Sequence, residues 1–223
     1  MQGSFRLPRV YALTDVSLSG LSHAEQVTFL SEGGASLVQL REKQMPALEF
    51  FEEATKAVTV ARGCGVQLII NDRVDIALAT GAAGVHLGQD DMPPDAARKL
   101  LGPDAVVGYS THNIEQALRA SKLPIDYLAI GPIFQTMTKT DTSPVLGLDG
   151  LRAVRQAIGR LQLVAIGGIT HANARAVIEA GADSVAVISA LLSNRNGIPD
   201  ATQRLINSLS PSPGAENSSE FKL

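Results

Sequence analysis

At 223 residues and 45% hydrophobic composition the chain fits one large domain with a substantial core. Its formal net charge of −3 excludes the basic field that nucleic acid or an anionic membrane surface would require, so any phosphate site must be built from a few placed cations. A single cysteine, Cys64, rules out an internal disulfide, MQGSFRLPRV lacks a signal-peptide core, and no apolar run approaches the ~18 residues of a membrane span; together these predict a soluble cytoplasmic protein.

From the N-terminus onward, short β-branched runs alternate with amphipathic stretches. Strands are predicted at residues 9–14, 37–41, 67–71, 84–87, 106–110, 127–130, 163–166 and 184–188. Helical patterns lie between them. The clearest runs from residue 46 to about 62, where Ala47, Phe50, Phe51, Ala54, Ala57, Val58 and Ala61 recur at helical spacing. Ser22 followed by Glu25 reads as a capping box, Pro93-Pro94 as a helix opening and Thr170 as an N-cap. Gly33-Gly34, Gly81, Gly102 and Gly181 read as stops, and Cys64 lies in a helix-to-strand turn between Gly63 and Gly65.

Strand-then-helix units repeated in this way predict a (β/α)8 TIM barrel, a single α/β domain with its active site at the C-terminal ends of the strands. The rival, a doubly wound open sheet, normally uses fewer strands and a strand-linked G-x-G-x-x-G fingerprint, which the sequence lacks. The barrel is assigned to residues 1–209, and the polar segment 210–223 to a disordered tail.

Unusual polar residues collect at the predicted strand ends. In the second strand Gln39, Arg41 and Lys43 share one face while Val38 and Leu40 share the other, so the polar set climbs the barrel interior toward the mouth. Two cations there call for anionic company; the alternative is that each pairs with a neighbouring carboxylate and braces the barrel. Asn71-Asp72 ends the third strand and Asp90-Asp91 follows the fourth. Taken singly these acids read as helix caps. As a pair beside Arg41 and Lys43 they read as ligands for Mg2+, which needs only one or two carboxylates plus phosphate oxygens. Ser110 reads as a phosphate donor rather than a nucleophile. His112 is either an acid–base group or a first-turn surface residue. His86 reads as a satisfied core histidine, and His23 and His171 as surface or helix-start residues. Thr136, Thr138 and Lys139 occupy a long loop after the sixth strand that suits a lid. Gly167-Gly168 and Ile188-Ser189 follow the last two strands, where barrels bind phosphate through backbone N–H groups.

Taken together, QLREK at 39–43, ND at 71–72, GQDD at 88–91, STH at 110–112, TMTK at 136–139, GGI at 167–169 and VIS at 187–189 resemble the thiamine phosphate synthase family, over residues 11–193. Tyr109 departs from the family pattern, where a smaller or aliphatic residue is expected, and the polar tail is extra. The resemblance implies condensation of an aminopyrimidine methyl diphosphate with a thiazole phosphate, giving thiamine phosphate and diphosphate, with Mg2+. It implies that Arg41, Lys43, Asn71 and Lys139 hold the diphosphate and that Asp72 and Asp91 hold the ion; it also selects Asp91 over Asp90. Gln39 would contact the pyrimidine, and Ser110 the diphosphate or the pyrimidine region. Thr136, Thr138, Gly168, Ile188 and Ser189 would surround the thiazole phosphate. Two other readings remain: a related thiazole tautomerase, needing an acid–base group such as His112 but not the diphosphate set, and a non-catalytic barrel that sequesters thiamine phosphates. Oligomeric state is left open.

Overall fold

A computed structural model describes residues 5–136 and 144–210. In chain order the elements are β1 (Val10–Leu13), α1 (Val16–Ser19), α2 (His23–Glu32), β2 (Leu37–Leu40), α3 (Ala47–Gly63), β3 (Gln67–Asn71), α4 (Val74–Thr80), β4 (Gly84–Leu87) and α5 (Pro94–Leu101). They continue with β5 (Val106–Thr111), α6 (Ile114–Ala120), β6 (Tyr127–Ile130), α7 (Gly147–Ile158), β7 (Gln162–Ile166), α8 (Ala174–Glu179), β8 (Ser184–Val187), α9 (Ser189–Leu192) and α10 (Ile198–Leu209). The strands are parallel and close in sequence order, with β1 paired to β8 through Val10 and Val185. This is the expected TIM barrel, and each strand end falls within one residue of its predicted position. The disordered tail is a prediction for residues of which 211–223 lie outside those described.

Local signals act as their chemistry dictates. Ser22 and Glu25 form the reciprocal capping box, and Pro94 opens α5 at its first turn. Thr170 does not cap α8. Asn173 intervenes, its side chain accepting from the Thr170 N–H, and a turn precedes the helix that begins at Ala174.

Outward-facing Val38, Leu40, Ile70, Val85, Leu128 and Val185 are fully buried beneath the helices. Inside the barrel, bulk and absence of bulk alternate. Tyr127 is 0% exposed, and a Cβ on Gly108 of the neighbouring strand would lie 2.1 Å from its ring, so only glycine leaves room for it.

The N-terminal face is held by a device that recurs on α3, α5 and α7. Arg98 of α5 pairs with Asp126 at 2.7 Å, whose carboxylate also accepts from the Val107 N–H at 2.7 Å. Arg155 of α7 pairs with Asp183, whose carboxylate accepts from the Leu163 N–H at 2.8 Å. Arg62 of α3 makes the same reach, donating to the Gly81 carbonyl at 2.6 Å. Each arginine ties a helix end to the loop that enters an even-numbered strand.

Candidate active site

At the opposite face the strand ends converge on a cleft of about 390 Å³ lined by Gln39, Arg41, Lys43, Asn71, Asp72, Asp91, Ser110 and His112, among others. Beside it lies a smaller recess of about 40 Å³ lined by Thr136, Gly167, Gly168, Ile188 and Ser189. Ile166 and Ala186 line both. Thr138 and Lys139 lie outside the described residues, as does the span 137–143 of the expected lid. The stems of that loop are tied together, the Leu146 N–H donating to the Pro132 carbonyl at 2.9 Å.

The cationic wall is organised from below. Arg41 follows β2, and its N–H donates to Thr14 Oγ1 at 3.2 Å while its guanidinium stands 4.0 Å from Asp15. The next residue, Glu42, folds back so that one carboxylate oxygen accepts from the N–H groups of Lys43, Gln44 and Met45. Burial opposes ionisation of Glu42, but these donors outweigh it and hold its carboxyl below the usual range. His23, expected at the surface or at a helix start, opens α2 but is not a surface residue: it is fully buried, with Nε2 3.6 Å from Glu42. Burial lowers the pKa of its imidazolium, favouring the neutral ring. Neither His23 nor Glu42 is assigned a role at the site by the sequence; both act by shaping the segment that carries Arg41 and Lys43.

Asp72 and Asp91 do not cap helices. The residues at the N-caps of α4 and α5 are Arg73 and Pro93. Asp72 adopts φ 62°, a left-handed conformation that few residues other than glycine and Asn/Asp tolerate. Its N–H donates to the His86 carbonyl at 2.8 Å, and its carboxylate pairs with Lys43 Nζ. Asp91 accepts from the Gly88 N–H at 2.6 Å. Burial first, and then the adjacent Asp72 carboxylate, raise the Asp91 pKa above the usual aspartate value, against the pull of the Gly88 N–H and Lys43. Two carboxylates sharing one half-exposed lysine make a site with negative charge to spare, which fits a hard dication. Among the described residues no group of three or more His, Cys, Asp and Glu gathers at ion-binding spacing. An ion here would therefore rest on two carboxylates and on oxygens brought by water or substrate. Asn71, 6% exposed at the cleft wall, has a buried side-chain NH2 with no partner among the described residues, a donor waiting for an acceptor.

Beneath the cleft runs a buried polar chain whose tyrosines the sequence reading missed. Gln39 Nε2 donates to Tyr11 Oη at 3.0 Å, Tyr11 and Tyr127 hydroxyls stand 2.9 Å apart, Tyr127 Oη lies 3.0 Å from His86 Nδ1, and His86 Nε2 lies 2.8 Å from Ser110 Oγ. His86 is thus the satisfied core histidine expected, stacked on Tyr127 with ring centroids 5.5 Å apart. His112 is half-buried at the cleft edge, its Nδ1 3.0 Å from the Gly131 carbonyl oxygen, and precedes the N-cap of α6.

In the small recess, Gly167 and Gly168 have φ 102° and 64°. A Cβ on Gly168 would stand 2.5 Å from the Gln135 carbonyl oxygen, so the β7 turn and the loop after β6 meet backbone to backbone. Ser189 begins α9 directly above β8.

A family model described as thiamine monophosphate synthase matches residues 10–191. A thiamine-phosphate synthase of Chloroflexus aurantiacus is 50% identical over 185 residues, spanning 82% of this chain and 85% of that protein. One of Albidiferax ferrireducens is 50% identical over 184 residues, spanning 82% and 84%. Among solved structures, thiamine phosphate pyrophosphorylase from Pyrococcus furiosus superposes with a TM-score of 0.81 at 36% identity, covering 90% of this chain and 95% of that one.

Proposed function

The chain belongs to the thiamine monophosphate synthase family and is a transferase that forms thiamine phosphate from small-molecule substrates; from that premise we propose how the barrel mouth divides the work. The larger cleft takes the aminopyrimidine methyl diphosphate, and the recess beside it takes the phosphate of the thiazole. The observation that carries this reading is the adjacency of the two: a cleft walled by Arg41, Lys43, Asn71, Asp72 and Asp91 shares Ile166 and Ala186 with a recess walled by Gly168, Ile188 and Ser189.

Arg41, Lys43 and Asn71 grip the diphosphate, joined by Lys139 from the loop. Gln39 faces the pyrimidine, and Ser110 donates to the diphosphate or to the pyrimidine. Thr136 and Thr138, with the backbone of Gly168, Ile188 and Ser189, anchor the thiazole phosphate. Mg2+, held by Asp72 and Asp91 directly or through water, would neutralise part of the diphosphate charge. When the methylene C–O bond breaks, the electron pair leaves with the diphosphate and the ring-bound carbon becomes cationic, a charge the electron-rich aminopyrimidine delocalises. Cations fixed around the departing group hold it harder as its charge grows, and that difference lowers the barrier. The thiazole nitrogen then attacks with a lone pair that needs no deprotonation, already aligned by its phosphate anchor. The substitution is dissociative, with no covalent enzyme intermediate and no general base, which gives His112 no proton to move.

A cytoplasmic setting belongs to the same proposal; no described helix is long and apolar enough to cross a membrane. Turnover with both substrates tests the whole. Mg2+-dependent diphosphate release is expected in the wild type, and Asp91→Ala lowers it by about 10- to 100-fold while the far-UV spectrum is unchanged. Near-normal turnover of that variant at saturating substrate refutes the metal role. Binding of both substrates without release would instead identify a sequestering barrel.

A further inference from the structure

The chain of polar groups beneath the cleft has a direction, set by which end of the Gln39 amide meets Tyr11. Tyr11 is 1% exposed and Tyr127 0%, so neither hydroxyl has bulk water as a partner. Tyr11 Oη accepts from Gln39 Nε2, which leaves its single proton to place; the acceptor within reach is Tyr127 Oη. Tyr127 therefore accepts from Tyr11 and spends its own proton on His86 Nδ1. With Nδ1 an acceptor, the ring carries its proton on Nε2 and donates to Ser110 Oγ. The Ser110 proton is then directed into the cleft that Ser110 lines, while the Gln39 side-chain carbonyl, which has no partner among the described residues, also lines that cleft as an acceptor. The opposite direction requires the Gln39 amide to turn over, so that its carbonyl accepts the Tyr11 proton, Nδ1 donates to Tyr127 and the amide NH2 faces the cleft.

We propose that Tyr11, Tyr127 and His86 are positioning residues forming a one-way hydrogen-bond chain, and that this chain fixes Gln39 as an acceptor and Ser110 as a donor so that the cleft reads the donor–acceptor edge of an aminopyrimidine. This rests on the pyrimidine assignment above and deepens it. A 4-aminopyrimidine presents an amine N–H beside a ring-nitrogen lone pair, complementary to a carbonyl acceptor and a hydroxyl donor. Its 4-oxo counterpart presents a carbonyl beside a ring N–H, the reverse pattern. Because each link fixes the next, Gln39 cannot turn its amide over to suit the oxo ring without reversing three buried bonds. Selectivity at the mouth thereby depends on Tyr127, which does not line the cleft.

Two measurements test this. Long-range 15N–1H correlation on the wild-type protein reports which nitrogen of His86 carries the proton, and Nε2–H is expected; Nδ1–H overturns the proposal whatever the enzyme's turnover. The second compares kcat/KM for the amino and the 4-oxo pyrimidine diphosphates in wild type and in Tyr127→Phe, which removes the middle link and leaves every cleft-lining group in place. The wild type is expected to favour the amino substrate, and Tyr127→Phe to lose about tenfold of that preference, the equivalent of one hydrogen bond. A merely structural role would lower both rates together, and an unchanged ratio overturns the proposal. Wild-type failure to turn over the amino substrate would fall on the functional assignment instead, leaving the tautomer measurement to decide the chain.

Discussion

Substituting Gly108→Ala places a methyl group against the fully buried Tyr127 ring. The new Cβ would stand 2.1 Å from Cζ, 2.4 Å from Oη and 2.6 Å from Cε1 of Tyr127. Carbon atoms rest about 3.5 Å or more apart, so the ring must retreat by roughly 1.4 Å. It has nowhere to go: Tyr11 meets it edge-on at 5.8 Å, His86 stacks at 5.5 Å and Phe5 lies at 6.1 Å, centroid to centroid. A shift of that size also stretches the 2.9 Å and 3.0 Å bonds to Tyr11 and His86 beyond bonding range. Overpacking contributes about 2 kcal/mol and the two lost bonds about 1 kcal/mol each, a destabilisation of about 4 kcal/mol. Equilibrium urea unfolding should show the midpoint falling with the slope unchanged. In a double-mutant cycle, Gly108→Ala should cost less in a Tyr127→Phe background, since the two bonds it breaks are already absent there while the clash with Cζ remains. A destabilisation under about 1 kcal/mol would show that the ring moves freely, and the tight-core reasoning would be wrong.

Two further outcomes follow from geometry at the mouth. Gly168→Ala imposes a side chain at φ 64° and 2.5 Å from the Gln135 carbonyl; it should raise the KM for the thiazole phosphate by about tenfold and leave that for the pyrimidine diphosphate within about twofold, as measured by steady-state kinetics. Equal effects on both substrates would mean the recess does not hold the thiazole phosphate. Glu42 has its pKa lowered in the folded protein, so between that value and the unfolded one the unfolded chain binds more protons and stability rises with pH. Its contribution is present above the unfolded carboxylate value of about 4.3 and fades as pH falls through the folded value. Thermal melts of wild type and Glu42→Ala should therefore differ near neutrality and draw together in acid, and a gap that widens in acid would contradict the cradle described for Glu42.

The fold was legible because each strand is a short β-branched run with a turn signal at either end, and because a closed parallel barrel pairs strands in the order in which they are read. The cleft residues were legible for a related reason: Arg41, Asn71-Asp72, Asp91 and Ser110 sit at or just beyond strand ends, so knowing the topology gathers them at one rim. The capping alternative for Asp72 and Asp91 failed on local geometry that no pattern reveals, since the chain turns before each helix starts. Tyr11 and Tyr127 read as ordinary apolar strand positions. Their hydroxyls meet across 116 residues of sequence, a contact set by barrel closure and stagger. The only trace of it in the sequence is Gly108, a glycine inside a β-branched run, which marks a neighbour needing space. Thr170 shows the converse limit: a good capping residue was displaced by a turn that Asn173 organises.

The arginine ties at the N-terminal face have a consequence of their own. Arg62, Arg98 and Arg155 buckle successive two-strand sectors independently, far from the mouth and with the filled interior between. Damage to one buckle loosens its own quarter of the ring and leaves the others shut. The foundation is thereby insulated from the workbench above it, and loops at the rim are free to diverge toward other phosphate chemistry without taking the barrel apart.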